Sequence, residues 1–391
     1  MEFKCHSGTV INSSSSEYYV DSIVGRGTFG KVARCSNRTT NENVALKITR
    51  KASFFERAKE EGQMMEMLKS QNSDKYNIVR WDEAFTWNSC YCLAFELLDE
   101  DLHHFQMRCR SGRLGLEEIR PILKQLVVAL DFLQRHKVAH ADLKPKNIMV
   151  VDHYQHPPRI KIIDFGLATV VFEGNVCASL QTLWYRAPEI VIEATFTEAI
   201  DVWSLGCIAV EMFLGEPLFP AKDNYDLMLR ILHTLEKPSN YLLHTGMRTS
   251  QFFRLGHAGV WSVKSLLQNG PVHSHTINSL DYLLQVPLHS HLRGSMCAEI
   301  NDRATFVELL KMMLKVNPSD RISAPQILQD AFITMSHFEE IFANSTYFET
   351  CFDYMEHLVS QEPNLSPAAV NVSEQVANSQ STSQWDGDCR Q

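Results

Sequence analysis

The chain has 391 residues, 45% of them hydrophobic and 21% charged, with a net charge of −9. This is the composition of a folded protein, either one large two-lobed domain or two ordinary ones, and the acidic balance provides no broad basic field for nucleic acid or an anionic membrane. Ten cysteines without a C-x-x-C pair make neither a zinc site nor a disulfide framework; they read as scattered thiols in a reducing compartment. The first residues lack a charged head followed by an apolar run, so no signal peptide is expected.

Residues 1–17 are polar, with a Ser13–Ser16 run, and are expected to be a disordered leader. From Tyr18 to about Phe95 come the β-like runs YYVDSIV, GKVARC, NVALKIT and CYCLAF, interrupted by a turn-rich SNRTTNEN and one helical pattern over Phe55–Leu68. Cys90 and Cys92 share one strand face. After residue 100 the pattern changes. Ile119, Ile122, Leu123, Leu126, Leu130 and Leu133 recur at helical spacing, with Glu117 and Glu118 in the first turn. A loop over Val138–Asn147 comes next, then two short strand candidates, IMVV and IKII. The apolar stretch Ile200–Leu214 is short of the ~20 residues of a membrane span. It reads as a buried core helix closed by Gly215. The predicted class is α+β: a small β-rich lobe with one helix (18–97) and a larger, mainly helical lobe (98–335). A C-terminal extension (336–360) is expected to pack near the large lobe, and a Ser/Asn/Gln-rich tail (361–391) to be disordered.

Four segments carry chemistry. Gly25, Arg26, Gly27, Thr28, Phe29 and Gly30 form a G-x-G-x-x-G. A dinucleotide fingerprint would open a helix, but here a strand-like run comes after it, so the glycines mark a hairpin tip whose backbone N–H groups can approach phosphate. Lys47 sits among apolar neighbours in a strand. If it faces a cleft it needs a carboxylate, and Glu60, Glu61 and Glu66 are the candidates; Glu61 is favoured because Met65 and Leu68 share its face. The loop His140–Asn147 packs together a carboxylate (Asp142), a lysine two residues on (Lys144) and an amide five residues on (Asn147). These suit, in order, an orienter of an attacking hydroxyl, a cation beside a transferring phosphoryl group and an oxygen ligand for Mg²⁺. Asp164, in Asp164-Phe165-Gly166, is a second hard oxygen for the metal. Glu189 is expected to form a buried ion pair with Arg321.

The set GRGTFGKV, VALK, HADLKPKN, DFG, RAPE and DVWSLG resembles the protein kinases. HADLKP, YNIVR, EAIDVWSLGCIAVEMFLGEPLFP, RTSQFF and DRATFVELLKMMLKVNPSDRIS resemble the homeodomain-interacting protein kinases within the CMGC group, over about residues 18–360. The resemblance implies a bilobal kinase fold, ATP and Mg²⁺, and Ser/Thr hydroxyls of proteins as acceptors. It assigns ATP contacts to Val24, Gly25, Arg26, Gly27, Thr28, Phe29, Gly30, Val32, Ala45, Lys47 and Glu61. Phe95 would be the gatekeeper, and Glu96–Leu98 the hinge holding adenine through its backbone. It adds transcription regulators as candidate partners, a monomeric state and an intracellular setting in nucleus or cytoplasm. Direct nucleic-acid binding is not expected.

Three departures accompany the resemblance. Ala141 stands where most kinases carry the arginine that neutralises a phosphorylated activation loop. Ser179 stands in the place of the family's self-phosphorylated tyrosine, allowing a one-residue deletion, and Leu183 in that of an arginine. Ser179 is thus a candidate phosphosite. The best-known members are also much longer, so their targeting and docking segments are not expected in these residues. The alternative reading is a catalytically weak scaffold or decoy. A small-molecule kinase is disfavoured by the RAPE segment and the peptide-site features after it.

Overall fold

A computed structural model describes residues 5–26, 30–49, 54–109, 112–172, 174–176, 180–264, 277–287, 293–338, 342 and 345–361. The first lobe is an antiparallel sheet of β1 (Val10–Asn12), β2 (Glu17–Arg26), β3 (Gly30–Asn37), β4 (Glu42–Thr49), β5 (Trp81–Trp87) and β6 (Cys90–Glu96). The spatial order is β1-β2-β3-β4-β6-β5. Side chains alternate across it with the strand period. Ala33, Cys35, Val44, Leu46, Ile48, Cys90, Cys92 and Ala94 bury one face beneath Cys5, Ile11 and Tyr18. The intervening positions look the other way. Gly25, Val32, Lys47 and Leu93 are successive cross-strand partners, so one row crosses the sheet from the glycine hairpin to β6.

Two of these strands were not expected. β1 pairs with β2 through Ile11↔Tyr18, which corrects the reading of a disordered leader over 1–17 for its described part, 5–17. Its single buried apolar side chain, Ile11, sits in a polar, serine-rich stretch that carries no periodic signal. β5 has no clear period in sequence because its acidic and aromatic residues are mostly half buried and do not alternate. The helix α1 (Phe55–Ser70) lies against β5 and β6. Gly62 allows the approach, since a Cβ there would lie 3.2 Å from both Leu93 and the Tyr91 hydroxyl.

The second lobe contains β7 (Glu100–Asp101), α2 (Leu102–Arg108), α3 (Leu116–Arg135), β8 (Val138–Ala139), β9 (Ile148–Val150), β10 (Ile160–Ile162), β11 (Thr169–Val170), α4 (Pro188–Val191) and α5 (Ala199–Leu214). Every residue of α5 from Ile200 to Leu214 is buried. Buried all round and mostly apolar, it is a core helix and not an amphipathic one. Gly215, at φ +84, ends it in the left-handed conformation where its N–H reaches Glu211 O. The helix Thr346–Gln361 lies on α3 and on the helix Arg293–Met313. Fully buried Asp302 joins these pieces, with Arg120 from α3, His337 Nε2 (2.9 Å) and the Tyr347 hydroxyl (2.7 Å) around its carboxylate. No helix among the described residues is long and apolar enough to cross a membrane.

Glu189 and Arg321 form the ion pair expected from sequence, at 2.7 and 3.1 Å, both side chains fully buried. Arg321 also donates to Lys315 O and Ala199 O, so its donors are well satisfied. Truncating one partner strands the other as a buried charge. Glu189→Ala is expected to lower stability by about 3–5 kcal/mol, read from denaturant unfolding; an unchanged midpoint would show that the pair does not stabilise the lobe.

Candidate active site

The row carrying Lys47 faces the junction of the lobes. Lys47 Nζ lies 2.7 Å from both carboxylate oxygens of Glu61 and 2.7 Å from Asp164 Oδ1. Glu61 is the α1 carboxylate favoured by helical spacing, and it is buried. The contact with Asp164, 117 residues away, was not readable from local pattern. Asp164 lies just after β10 with φ +63, a left-handed conformation uncommon outside glycine.

Around this centre a cleft of ≈ 700 Å³ is lined by Val24, Gly25, Val32, Ala45, Lys47, Glu61, Phe95, Glu96, Leu98 and Asp164 of the predicted set. Arg26 and Gly30 close the described ends of the β2–β3 hairpin but are not among the lining residues. Gly27, Thr28 and Phe29 lie outside the described residues, as does Ser179. Met149, Val151 and Ile163 add an apolar floor that sequence reading missed; Met149 and Val151 alternate with buried Ile148 and Val150, a period-2 signal too short to read alone. At the expected hinge, Glu96 N–H donates to Arg80 O at 3.1 Å. Its side chain is held by Arg80 N–H at 2.6 Å and by Lys161.

Asp142, from the loop after β8, lines a smaller pocket together with Lys47, Glu61 and Asp164. Lys144 Nζ reaches Asp142 Oδ2 at 2.6 Å. Asn147 Nδ2 donates to Asp142 O at 2.9 Å and to its Oδ2 at 3.2 Å. Asp142 Oδ1 accepts from both Thr182 N–H (3.1 Å) and Thr182 Oγ1 (2.7 Å), and Lys144 Nζ also donates to Thr182 Oγ1 (3.2 Å). Thr182, 40 residues downstream, was not predicted as part of the site; no local spacing signals that contact. The loop itself bends at Ala141, φ +61, and is held there by Asp201, whose oxygens accept His140 N–H at 2.6 Å and Ala141 N–H at 2.9 Å.

This geometry agrees with comparison to known proteins. A family model described as "Protein kinase domain" matches residues 18–333. The chain belongs to the protein kinase domain family. Homeodomain-interacting protein kinase 1 of Mus musculus is 39% identical over 361 residues, 89% of this chain and 30% of the relative. Homeodomain-interacting protein kinase 2 of Mesocricetus auratus is 38% identical over 89% of this chain and 31% of its own. Homeodomain-interacting protein kinase 4 of Homo sapiens is 33% identical over 87% and 59%. The chain therefore spans about a third of the length of the first two.

A kinase domain uses ATP with a divalent metal, and the residues fit both. One ammonium faces two carboxylates at Lys47, which leaves an excess of negative charge for a cation to balance. Burial pushes the Lys47 ammonium toward losing its proton, but Glu61 and Asp164 more than offset this and hold its pKa above the usual lysine value. Burial likewise raises the Asp164 carboxyl, and Lys47 overrides it, so Asp164 stays ionised below the usual range. Asn147, with its nitrogen spent on Asp142, presents Oδ1. These two hard oxygens would hold the metal.

The segment after Thr182 is fastened by a second buried carboxylate. The Tyr185 hydroxyl donates to Glu211 Oε2 at 2.7 Å. Burial pushes Glu211 up from 4.5 to about 7, with Tyr185 partly offsetting it. Between these two pH values the folded chain keeps a proton that the unfolded chain has lost, so this group's contribution to stability falls as pH rises through the window. Glu211→Gln preserves an acceptor for Tyr185 without the charge. Its stability relative to the parent is expected to increase from about pH 5 to pH 8, because the parent loses stability over that window and the variant does not titrate; a difference that stays flat would contradict the assignment.

Proposed function

We propose that this chain transfers the γ-phosphoryl group of Mg²⁺-bound ATP to serine or threonine hydroxyls of proteins. The observation that carries this reading is the convergence of Asp142, Lys144, Asn147 and Thr182 beside the Lys47–Glu61–Asp164 cluster. Lys47 would hold the α- and β-phosphates and Glu61 would orient it. Asp142 would accept a hydrogen bond from the acceptor hydroxyl, and Lys144 would offset charge on the transferring group. The hydroxyl oxygen bonds to phosphorus, the bond to the β-phosphate oxygen breaks, and the hydroxyl proton passes toward Asp142. The relatives' names describe them as homeodomain-interacting, which makes transcription regulators the first substrates to try.

Asp142→Asn keeps the shape of the loop but weakens its acceptor. Incorporation of phosphate from Mg-ATP into a basic protein substrate is expected to fall roughly 10²–10⁴-fold. Labelling at the parental rate would remove Asp142 from the mechanism, and a parent chain no more active than this variant would favour a scaffold.

The backbone beside the acceptor site supports a further preference, for proline immediately after the acceptor. Gln181 adopts φ +62, and its carbonyl is turned to Arg186 Nη2 at 2.9 Å. Arg186 Nε takes Leu180 O at 3.1 Å. With these carbonyls spent inside the protein, an N–H on the residue after the acceptor lacks them as partners; proline has no N–H to satisfy. Peptides with Ser-Pro are expected to show roughly 10-fold higher kcat/KM than their Ser-Ala counterparts; equal values would contradict this orientation of the segment.

A further inference from the structure

The side chain of Gln181 is one of the few uncharged polar groups buried beside the catalytic loop, and its bonding goes beyond filling space. It is 3% exposed. Its Nε2 donates to Ile200 O at 2.9 Å and to Ser204 Oγ at 2.8 Å, while its Oε1 accepts Ala187 N–H at 2.9 Å. Both amide atoms are thus satisfied, as a buried polar group requires. Its backbone N–H donates to Ala141 O at 2.8 Å. One residue therefore touches the catalytic loop, the core helix α5 and the start of α4.

Ser204 continues the chain of bonds. Having accepted from Gln181, its hydroxyl donates to Tyr185 O at 2.8 Å. Trp184 Nε1 donates to Ala221 O at 2.9 Å, and Arg186 Nη1 to Asn224 Oδ1 at 2.7 Å. The segment from Leu180 to Ala187 is held by groups of the chain itself, and Gln181 is the member next to Thr182, whose N–H and hydroxyl set Asp142.

We propose that Gln181, acting through Ser204 of α5, is a positioning residue for protein acceptors. It fixes the left-handed turn that places Thr182 on Asp142 and turns the Gln181 carbonyl away from the incoming peptide. This rests on the kinase reading, with its effect confined to the acceptor side. The ATP side, built from β2–β4, α1 and the hinge, has no bond to Gln181 among the described residues. The physical basis is leverage. A left-handed backbone at a non-glycine residue is unfavourable unless its surroundings over-determine it, and the buried side-chain bonds supply that constraint.

The test uses the full chain, Gln181→Glu and Ser204→Ala, with a Ser-Pro peptide and ATP varied independently. Gln181→Glu removes both donations from Nε2, and Ser204→Ala is the milder cut in the same relay. Both are expected to lower kcat/KM for peptide, by roughly 10-fold or more for Gln181→Glu, to narrow the Ser-Pro over Ser-Ala preference, and to leave KM for ATP within about twofold. Parallel losses in ATP affinity and thermal midpoint with unchanged proline preference would reduce Gln181 to a folding element and overturn the proposal. So would unchanged peptide kinetics. If the parent itself shows no transfer above Asp142→Asn, the kinase reading is what fails. Hydrogen exchange then decides the positioning role: selective loss of protection over 180–187 in Gln181→Glu, with α5 intact, supports it, and unchanged protection overturns it.

Discussion

The carboxylate of Asp201 is the interaction on which the rest of the site depends. It stands in the first turn of α5, almost fully buried, and receives the N–H groups of His140 and Ala141. Burial raises its pKa to about 6, although His140 and the two N–H bonds oppose this. The helix N-terminus favours the anion as well. What the arrangement secures is the left-handed Ala141, and with it the direction in which Asp142 leaves the loop. His140 extends the same constraint sideways, its Nε2 reaching Ile163 O at 3.0 Å and its ring meeting Phe165 edge-on at 4.8 Å. The residue before Asp164 and the residue after it are thereby tied to the loop that carries Asp142.

Two lobes of different physical character meet around this anchor. The sheet supplies a flat row of alternating side chains, which aims Val32, Ala45 and Lys47 into the cleft while the other face packs its own core. The helical lobe supplies depth. Its core helix carries three polar side chains, Asp201, Ser204 and Glu211, and each is bonded to the catalytic loop or to the segment around Thr182. Buried polar groups that are fully paired give a unique arrangement more than they give stability. Their concentration on one helix accounts for how the segment Leu180–Ala187 holds a defined shape.

Local chemistry was readable and long-range partnership was not. Asp142, Lys144 and Asn147 lie within six residues, so their spacing already brings them together, and the structure shows them bonded to one another. Glu61 came from a helical face, and Glu189 with Arg321 is the one distant pair that the sequence reading expected. Thr182 on Asp142, Asp164 on Lys47, Gln181 on Ser204 and Asp302 at the junction with Arg120, His337 and Tyr347 are pairings between distant parts of the chain, up to 182 residues apart. β1 and β5 were missed for a related reason: each is stabilised by neighbours on a sheet, and neither carries a strong period of its own.

The sequence by itself determined which functional groups exist and which lie in one loop, because backbone geometry over a few residues is narrow enough to translate spacing into proximity. It also determined the two-lobed class, through the change from period-2 to helical patterns near residue 100. Only the tertiary structure decided how the groups are aimed. The left-handed turns at Ala141, Asp164 and Gln181 are unfavourable in isolation and exist where packed neighbours and buried hydrogen bonds impose them. Those neighbours come from distant parts of the chain, and folding alone brings them together.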